Sequence, residues 1–268
     1  MNGSDSVTET CGSLPAVILA GGGRDDKLAL AAGAPCKALV RLNGRPLMAW
    51  VAEALQLSEL VERVVAVEGP NRSLTDDGQP LLPIVTAHGT GFADTLLAAV
   101  EAFPNAERIL VATADLPLLT PEAVDGFIRS CQESAGELSY PVVQAEAFDR
   151  AFPGRGKTVV RLREGRFTGG NLAIVTRRFV LEQGLAIERT FDRRKSPVGL
   201  AAMFGLSFIL RLVTGRLRLV DLERRGTEML GAQLRAVPVQ WPEIGFDVDD
   251  PDDLDLALSF LRERAGGV

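Results

Sequence analysis

The sequence predicts an α/β fold: a three-layer α/β/α sandwich around a mostly parallel sheet, with a small antiparallel excursion. Short apolar, β-rich runs recur at 16–20 (AVILA), 63–67 (RVVAV), 108–113 (RILVAT), 137–143 (ELSYPVV) and 171–175 (NLAIV). Helical patterns lie between them, which implies crossover connections and strands covered on both faces. Helix-start signals follow strands or turns: Pro46 after Asn43-Gly44-Arg45, Thr120-Pro121, and Asp250-Pro251 with Asp253. Such starts sit where ligands of open α/β sheets collect.

The chain has 268 residues, 46% of them hydrophobic and 24% charged, with a net charge of −6. That length buries a full core and suits one domain over 14–268, preceded by a loose polar tail at 1–13. The acidic balance repels phosphate backbones and argues against nucleic acid as the main partner. The three cysteines, Cys11, Cys36 and Cys131, follow neither a metal spacing nor a disulfide framework, which points to a reducing cytoplasm. The tail lacks the basic and apolar regions of a signal peptide. The most apolar later stretch, 198–213, contains Arg211 and falls short of the roughly 20 residues that span a bilayer.

Residues 14–47, LPAVILAGGGRDDKLALAAGAPCKALVRLNGRPL, leave the first strand through three glycines and place Lys37 before a second turn. Gly21, Gly22 and Gly23 let backbone amides approach a ligand without a Cβ in the way. Consecutive free N–H groups there form a nest for phosphate oxygens, although a sharp turn alone uses the same residues. The triplet fits no G-x-G-x-x-G fingerprint and lacks the G-K-[ST] ending of a P-loop.

Asp115 ends the run at 108–113 and precedes a proline turn. An aspartate there either caps a turn or holds Mg²⁺ against phosphate oxygens. In FDVDDPDDLDLAL, residues 246–258, Asp250 and Asp253 suit helix capping. Asp247 and Asp249 alternate on an extended segment and share a side. Hard oxygen donors from distant stretches suit Mg²⁺ and not zinc.

Between these acidic stretches, Gly89, Thr90 and Gly91 turn into an amphipathic helix, next to the lone His88. Residues 144–170 contain a hairpin pattern, TVVRLREGRF, and end at Gly170 and Asn171 before a strand. From 176 to 240 the pattern is mainly helical, and RTFDRRK at 189–195 is its most basic patch. The apolar helix within 198–213 must be covered, by this chain or by a second copy in a homodimer.

LAGGG, PCK and GRPL together resemble the opening signature of the NTP-transferase superfamily, in particular the MobA-like nucleotidyltransferases similar to molybdenum-cofactor guanylyltransferase. DLPLLTPE resembles the family's metal-binding D-x-P segment, and DVDDPDDL its closing D-x-[DN]-x-P-x-D-L motif. The resemblance implies a Rossmann-like sheet of the nucleotide-diphospho-sugar transferase type. It also implies a Mg²⁺-dependent reaction in which a nucleoside monophosphate passes from an NTP, GTP or CTP by analogy, to a phosphorylated small molecule, with release of pyrophosphate.

By the same resemblance, Leu19, Ala20, Gly21, Gly22, Gly23 and Arg24 lie along the nucleotide, Lys37 compensates its charge, and Gly89, Thr90 and Gly91 meet the base. Asp115 with Asp247 or Asp249 holds the metal, and Gly170, Asn171 and Lys195 meet the acceptor. Lys37 and Asp115 are the implied catalytic pair. One departure is the loop GGGRDDKLALAAG, where many relatives carry an arginine a few residues in: Arg24 or Lys27 takes that place, with Asp25 and Asp26 as acidic neighbours. Two other readings remain open on the residues alone. One is a non-catalytic nucleotide or sugar-phosphate binder. The other is a GT-A glycosyltransferase, whose D-x-D motif here reads Thr113-Ala114-Asp115.

Overall fold

A computed structural model describes residues 12–21, 26–70, 73–76, 78–132, 136–193 and 205–266. Among them, nine strands form one mixed sheet. They are β1 (Leu14–Leu19), β2 (Val61–Glu68), β3 (Ile84–Thr86), β4 (Arg108–Thr113), β5 (Leu138–Gln144), β6 (Val159–Leu162), β7 (Gly165–Gly169), β8 (Leu172–Thr176) and β9 (Leu234–Val239). The five apolar runs in the sequence become β1, β2, β4, β5 and β8.

The early half of the sheet, β3-β2-β1-β4, is parallel. β8 runs antiparallel between β4 and β5, β6 and β7 form the expected hairpin, and β9 joins β5 in parallel. Both β7 and β8 pair antiparallel with β5, and the register slips by two residues between them. Gly170 and Asn171 absorb that slip. β9 is a strand inside a stretch expected to be mainly helical. Its sequence, LRAVPV, carries Arg235 and Pro238, so it lacks a clean apolar run. A proline is tolerated there as it is on sheet edges.

The α-helices among the described residues are α1 (Lys27–Ala31), α2 (Leu47–Leu57), α3 (Phe92–Glu101), α4 (Pro121–Gln132), α5 (Ala145–Ala151), α6 (Arg177–Glu182), α7 (Gly184–Arg193), α8 (Leu206–Val213), α9 (Leu219–Leu230) and α10 (Pro251–Gly266). Alternation along β1 decides which layer each covers. Ala16 and Ile18 pack with Leu47 and Leu55 of α2 and Phe127 of α4, whereas Val17 packs with Leu96 and Val100 of α3 and Phe179 of α6. Two cores therefore lie on opposite faces of one sheet. A third cluster, Leu162, Phe167 and Leu217, joins the hairpin to Phe208 and Leu212 of α8. Leu210 and Val213 of α8 are exposed, and the first part of the expected 198–213 helix, up to 204, lies outside the described residues.

The three start signals are used as the local chemistry requires. α2 begins just after Pro46, and Thr120 Oγ1 accepts from Ala123 N (3.2 Å) where α4 begins at Pro121. Asp250 Oδ1 accepts from Asp253 N (2.9 Å) at the head of α10, and Asp253 Oδ2 accepts in return from Asp249 N (2.9 Å) and Asp250 N (3.1 Å). No helix among the described residues is long and apolar enough to cross a membrane.

Buried Asp125 in α4 ties down the loop that leads into β2. It accepts from Ser58 Oγ (2.5 Å), Leu60 N (3.1 Å) and Glu59 N (3.3 Å). Asp125→Ala leaves these donors without their acceptor, so we expect a loss of about 3 kcal/mol in urea unfolding. Asp125→Asn, which keeps one acceptor oxygen, is expected to lose less.

Candidate active site

Strand register places the early motifs at one edge. Leu19 of β1 is level with Val67 of β2 and with Thr113 of β4. Ala20-Gly21 and Ala114-Asp115 therefore emerge from neighbouring strands, which lie about 5 Å apart. Ala20 is buried, Leu19 is half-buried, and Ala20 N donates to Val67 O (2.9 Å). A Cβ on Gly21 would come within 3.2 Å of Thr95 Oγ1, so Gly21 presses against the first turn of α3. Thr95 Oγ1 donates to Gly91 O (3.1 Å), which puts Gly21 close to the Gly89–Gly91 segment. Thr90 is exposed.

Three carboxylates and two ammonium groups meet at the same edge. Lys37 opens a 3₁₀ turn, Lys37–Leu39, fixed from behind by buried Ala38 and Leu39. Its Nζ reaches Asp115 Oδ2 (2.6 Å) and Asp249 Oδ1 (2.5 Å). The later acids arrive on an extended segment in which Phe246 and Val248 are fully buried, so Asp247 and Asp249 face the other way. Val248 N donates to Asp115 O (3.1 Å), which locks the segment against the end of β4. One oxygen from each of Asp115, Asp247 and Asp249 lies within 4.8 Å of the others. Lys157 pairs with Asp247 Oδ1, and Asn171 Nδ2 donates to the same oxygen (3.3 Å).

Charge governs this cluster. Burial opposes the Lys37 ammonium, but Asp115 and Asp249 outweigh it and hold its pKa above the ordinary lysine value. Burial pushes the Asp247 carboxyl up against the opposing pull of Lys157, and the charge of Asp115 adds to the rise. For Asp249, burial is overcome by the hydrogen bond and charge of Lys37, which keep the carboxyl below the usual range. Asp115 Oδ1 is buried and has no hydrogen-bond partner. An orphaned oxygen and three hard donors within reach fit a divalent cation such as Mg²⁺.

A cleft of about 410 Å³ opens on the far flank of the triad, with Arg155, Lys157, Thr158, Thr168 and Asn171 on its walls. Gly169 and Gly170 are glycine for steric reasons. A Cβ on Gly169 would lie 2.6 Å from Tyr140 Oη, and one on Gly170 would lie 2.7 Å from Ile244 Cγ2 and 2.8 Å from Pro141 Cγ. Gly170 also uses both its backbone groups within the fold: its N donates to Pro141 O (3.0 Å), and its O accepts from Tyr140 Oη (2.5 Å). Arg155 is clamped by Asp253 (2.6 Å) and Asp250 (2.9 Å), which ties the loop before β6 to the head of α10.

A model of the MobA-like NTP transferase domain matches residues 16–202. The chain belongs to this family. A solved structure described as a hypothetical transferase from Thermus thermophilus is 37% identical, covers 90% of this chain and 99% of its own, and superposes with a TM-score of 0.75. The fold is also that of a CMP:2-keto-3-deoxy-manno-octonic acid synthetase complexed with CTP (15% identity, 94% of this chain and 99% of that one, TM-score 0.60). It is shared again by 4-diphosphocytidyl-2C-methyl-D-erythritol synthase from Anaerococcus prevotii (10% identity, 94% and 99%, TM-score 0.53). No curated protein matches the chain. Membership makes it a nucleotidyltransferase.

As a MobA-like transferase, the chain brings Lys37, Asp115, Asp247 and Asp249 into one cluster, with Asn171 on its margin and Gly170 lining the cleft. Gly22, Gly23, Arg24 and Lys195 lie outside the described residues. His88 stands apart: it is exposed and pairs with Glu101 (3.3 Å). Thr113 stands where a D-x-D motif would place its first carboxylate. Sequence reasoning missed Arg155 and Lys157, whose segment, FPGRGKT, carries only the signal of a glycine-rich turn with two cations.

The head of α10 yields a pH prediction. The backbone N–H of Asp253, with Arg155 beside it, holds the Asp250 carboxyl below its ordinary pKa. A depressed folded-state pKa adds stability above the unfolded value of about 3.9 and loses it as the pH falls through the folded value. Asparagine keeps the cap but removes the charge. We therefore expect Asp250→Asn to be less stable than the wild type in urea at pH 7, with the difference shrinking by pH 3.

Proposed function

We propose that this transferase moves a nucleoside monophosphate from an NTP to a phosphorylated small-molecule acceptor, releasing pyrophosphate, with Mg²⁺ held by Asp115, Asp247 and Asp249. The convergence of Lys37 with Asp115 and Asp249, the last 212 residues away in sequence, at the edge where the glycine turn emerges, carries this reading. Nucleotidyl transfer gathers negative charge around the α-phosphorus, and a compact ammonium with backbone dipoles suits that charge.

In this reading the backbone of 20–23 lies along the triphosphate, with Arg24 beside it and Lys37 turning from the carboxylates to the phosphate oxygens. Gly89, Thr90 and Gly91 border the base, which we take as guanine or cytosine. Magnesium bound at the triad supplies positive charge to the reacting phosphate oxygens. Gly170, Asn171 and the basic run ending at Lys195 frame the acceptor. Its phosphate oxygen forms a bond to the α-phosphorus as the bond to the β-phosphate oxygen breaks, and pyrophosphate departs. An ionised phosphate needs no base, in keeping with the surface position of His88. The buried free thiols Cys36 and Cys131 agree with a cytoplasmic setting.

The test is a matrix of four NTPs against phosphorylated acceptors in Mg²⁺, scored for pyrophosphate. One pair is expected to turn over, to stop in EDTA, and to slow by about 100-fold or more in Asp115→Asn. Turnover that survives chelation, or is unchanged in Asp115→Asn, removes the triad from the reaction.

A further inference from the structure

Two ammonium groups reach the carboxylate triad from opposite halves of the sheet. Lys37 comes from the parallel half, which carries the glycine turn, and bonds Asp115 and Asp249. Lys157 comes from the loop before β6, on the antiparallel half, and pairs with Asp247. The cleft of about 410 Å³ lies on the Lys157 flank, and its lining cations among the described residues are Arg155 and Lys157. Arg155 is committed to Asp250 and Asp253. Its clamp anchors the loop two residues before Lys157 and presents that side chain at the cleft wall.

We propose that Lys157 is the acceptor-side cation, the group that holds the phosphate of a phosphomonoester acceptor in the cleft. This deepens the transfer reaction proposed above and rests on it. Three carboxylates face two ammonium groups in the cluster, which leaves one negative charge. A divalent cation at the triad, together with Lys37, balances the three carboxylates. Lys157 then has no counter-charge to answer at Asp247 and stands next to open, polar space. Thr158, Thr168 and Asn171 line that space with groups that hydrogen-bond oxygens, and the acids on the same lining beyond the triad, Asp250 and Asp253, are paired with Arg155. An ammonium on a flexible stem follows a phosphate as a point charge over such a short move.

Inorganic phosphate is the probe, titrated calorimetrically into the full chain with Mg²⁺ and saturating α,β-methylene-GTP, or the CTP counterpart if the substrate matrix selects cytosine. The analogue fills the place of the leaving pyrophosphate and leaves the acceptor cleft open. We expect phosphate to bind the loaded wild type, Lys157→Gln to weaken it about tenfold, and Lys157→Arg to stay within about threefold. Analogue affinity should stay within about twofold in both variants, and fall in Lys37→Met. Glutamine still hydrogen-bonds Asp247, so the fold is kept, and a thermal melt checks it. A lower melting temperature with unchanged phosphate affinity overturns the proposal and leaves Lys157 a structural ion pair. Phosphate that binds only without the analogue marks a pyrophosphate site, and phosphate that fails to bind the loaded wild type leaves no acceptor site; either result overturns it. An analogue that does not bind the wild type at all sinks the transfer reading itself.

Discussion

Packing three carboxylates around a small space is the constraint on which this edge of the molecule depends. Like charges at such range resist ionising together unless cations stand beside them. Lys37 and Lys157 are those cations, and both are largely buried, with side chains 18% and 23% exposed. A partly buried ion pair adds little net stability by itself, because desolvation offsets the attraction. Its value here lies in placement: each lysine fixes one carboxylate while keeping a charge at hand for phosphate oxygens.

The sheet divides the labour between its two halves. Parallel strands β1, β2 and β4 end in register, so Gly21 and Asp115 come out side by side. The antiparallel half ends in the slip at Gly170 and Asn171, and side chains leave no room for a Cβ at Gly169 (Tyr140) or Gly170 (Pro141 and Ile244). That slip brings Asn171 against Asp247 and opens the cleft beside it. The segment carrying Asp247 and Asp249 joins the halves, bonded to Asp115 O through Val248 N and to Asn171 N through Ile244 O.

The match to the family ends at residue 202, before the two later carboxylates of the triad. They reach the site through β9 and the turn after it. β9 pairs along nearly the whole of β5 and so fixes where the following segment crosses the sheet.

Much of this was legible in the sequence because it is local. An apolar β-branched run, a proline after a cap and an aspartate pair at a helix head each act over a few residues, so the main strands, α2, α4 and α10 could be read directly. The alternation of Asp247 and Asp249 was legible for the same reason. What only the tertiary structure decided is which charges meet. Lys157 and Asp247 are 90 residues apart, and nothing in FPGRGKT separates a lysine aimed at a carboxylate from one in a solvated turn. β9 was hidden likewise, since a strand with an arginine and a proline becomes a strand only when β5 offers its edge. Local propensity sets the elements, whereas contacts between distant residues follow from strand pairing and register, which no short stretch of sequence encodes.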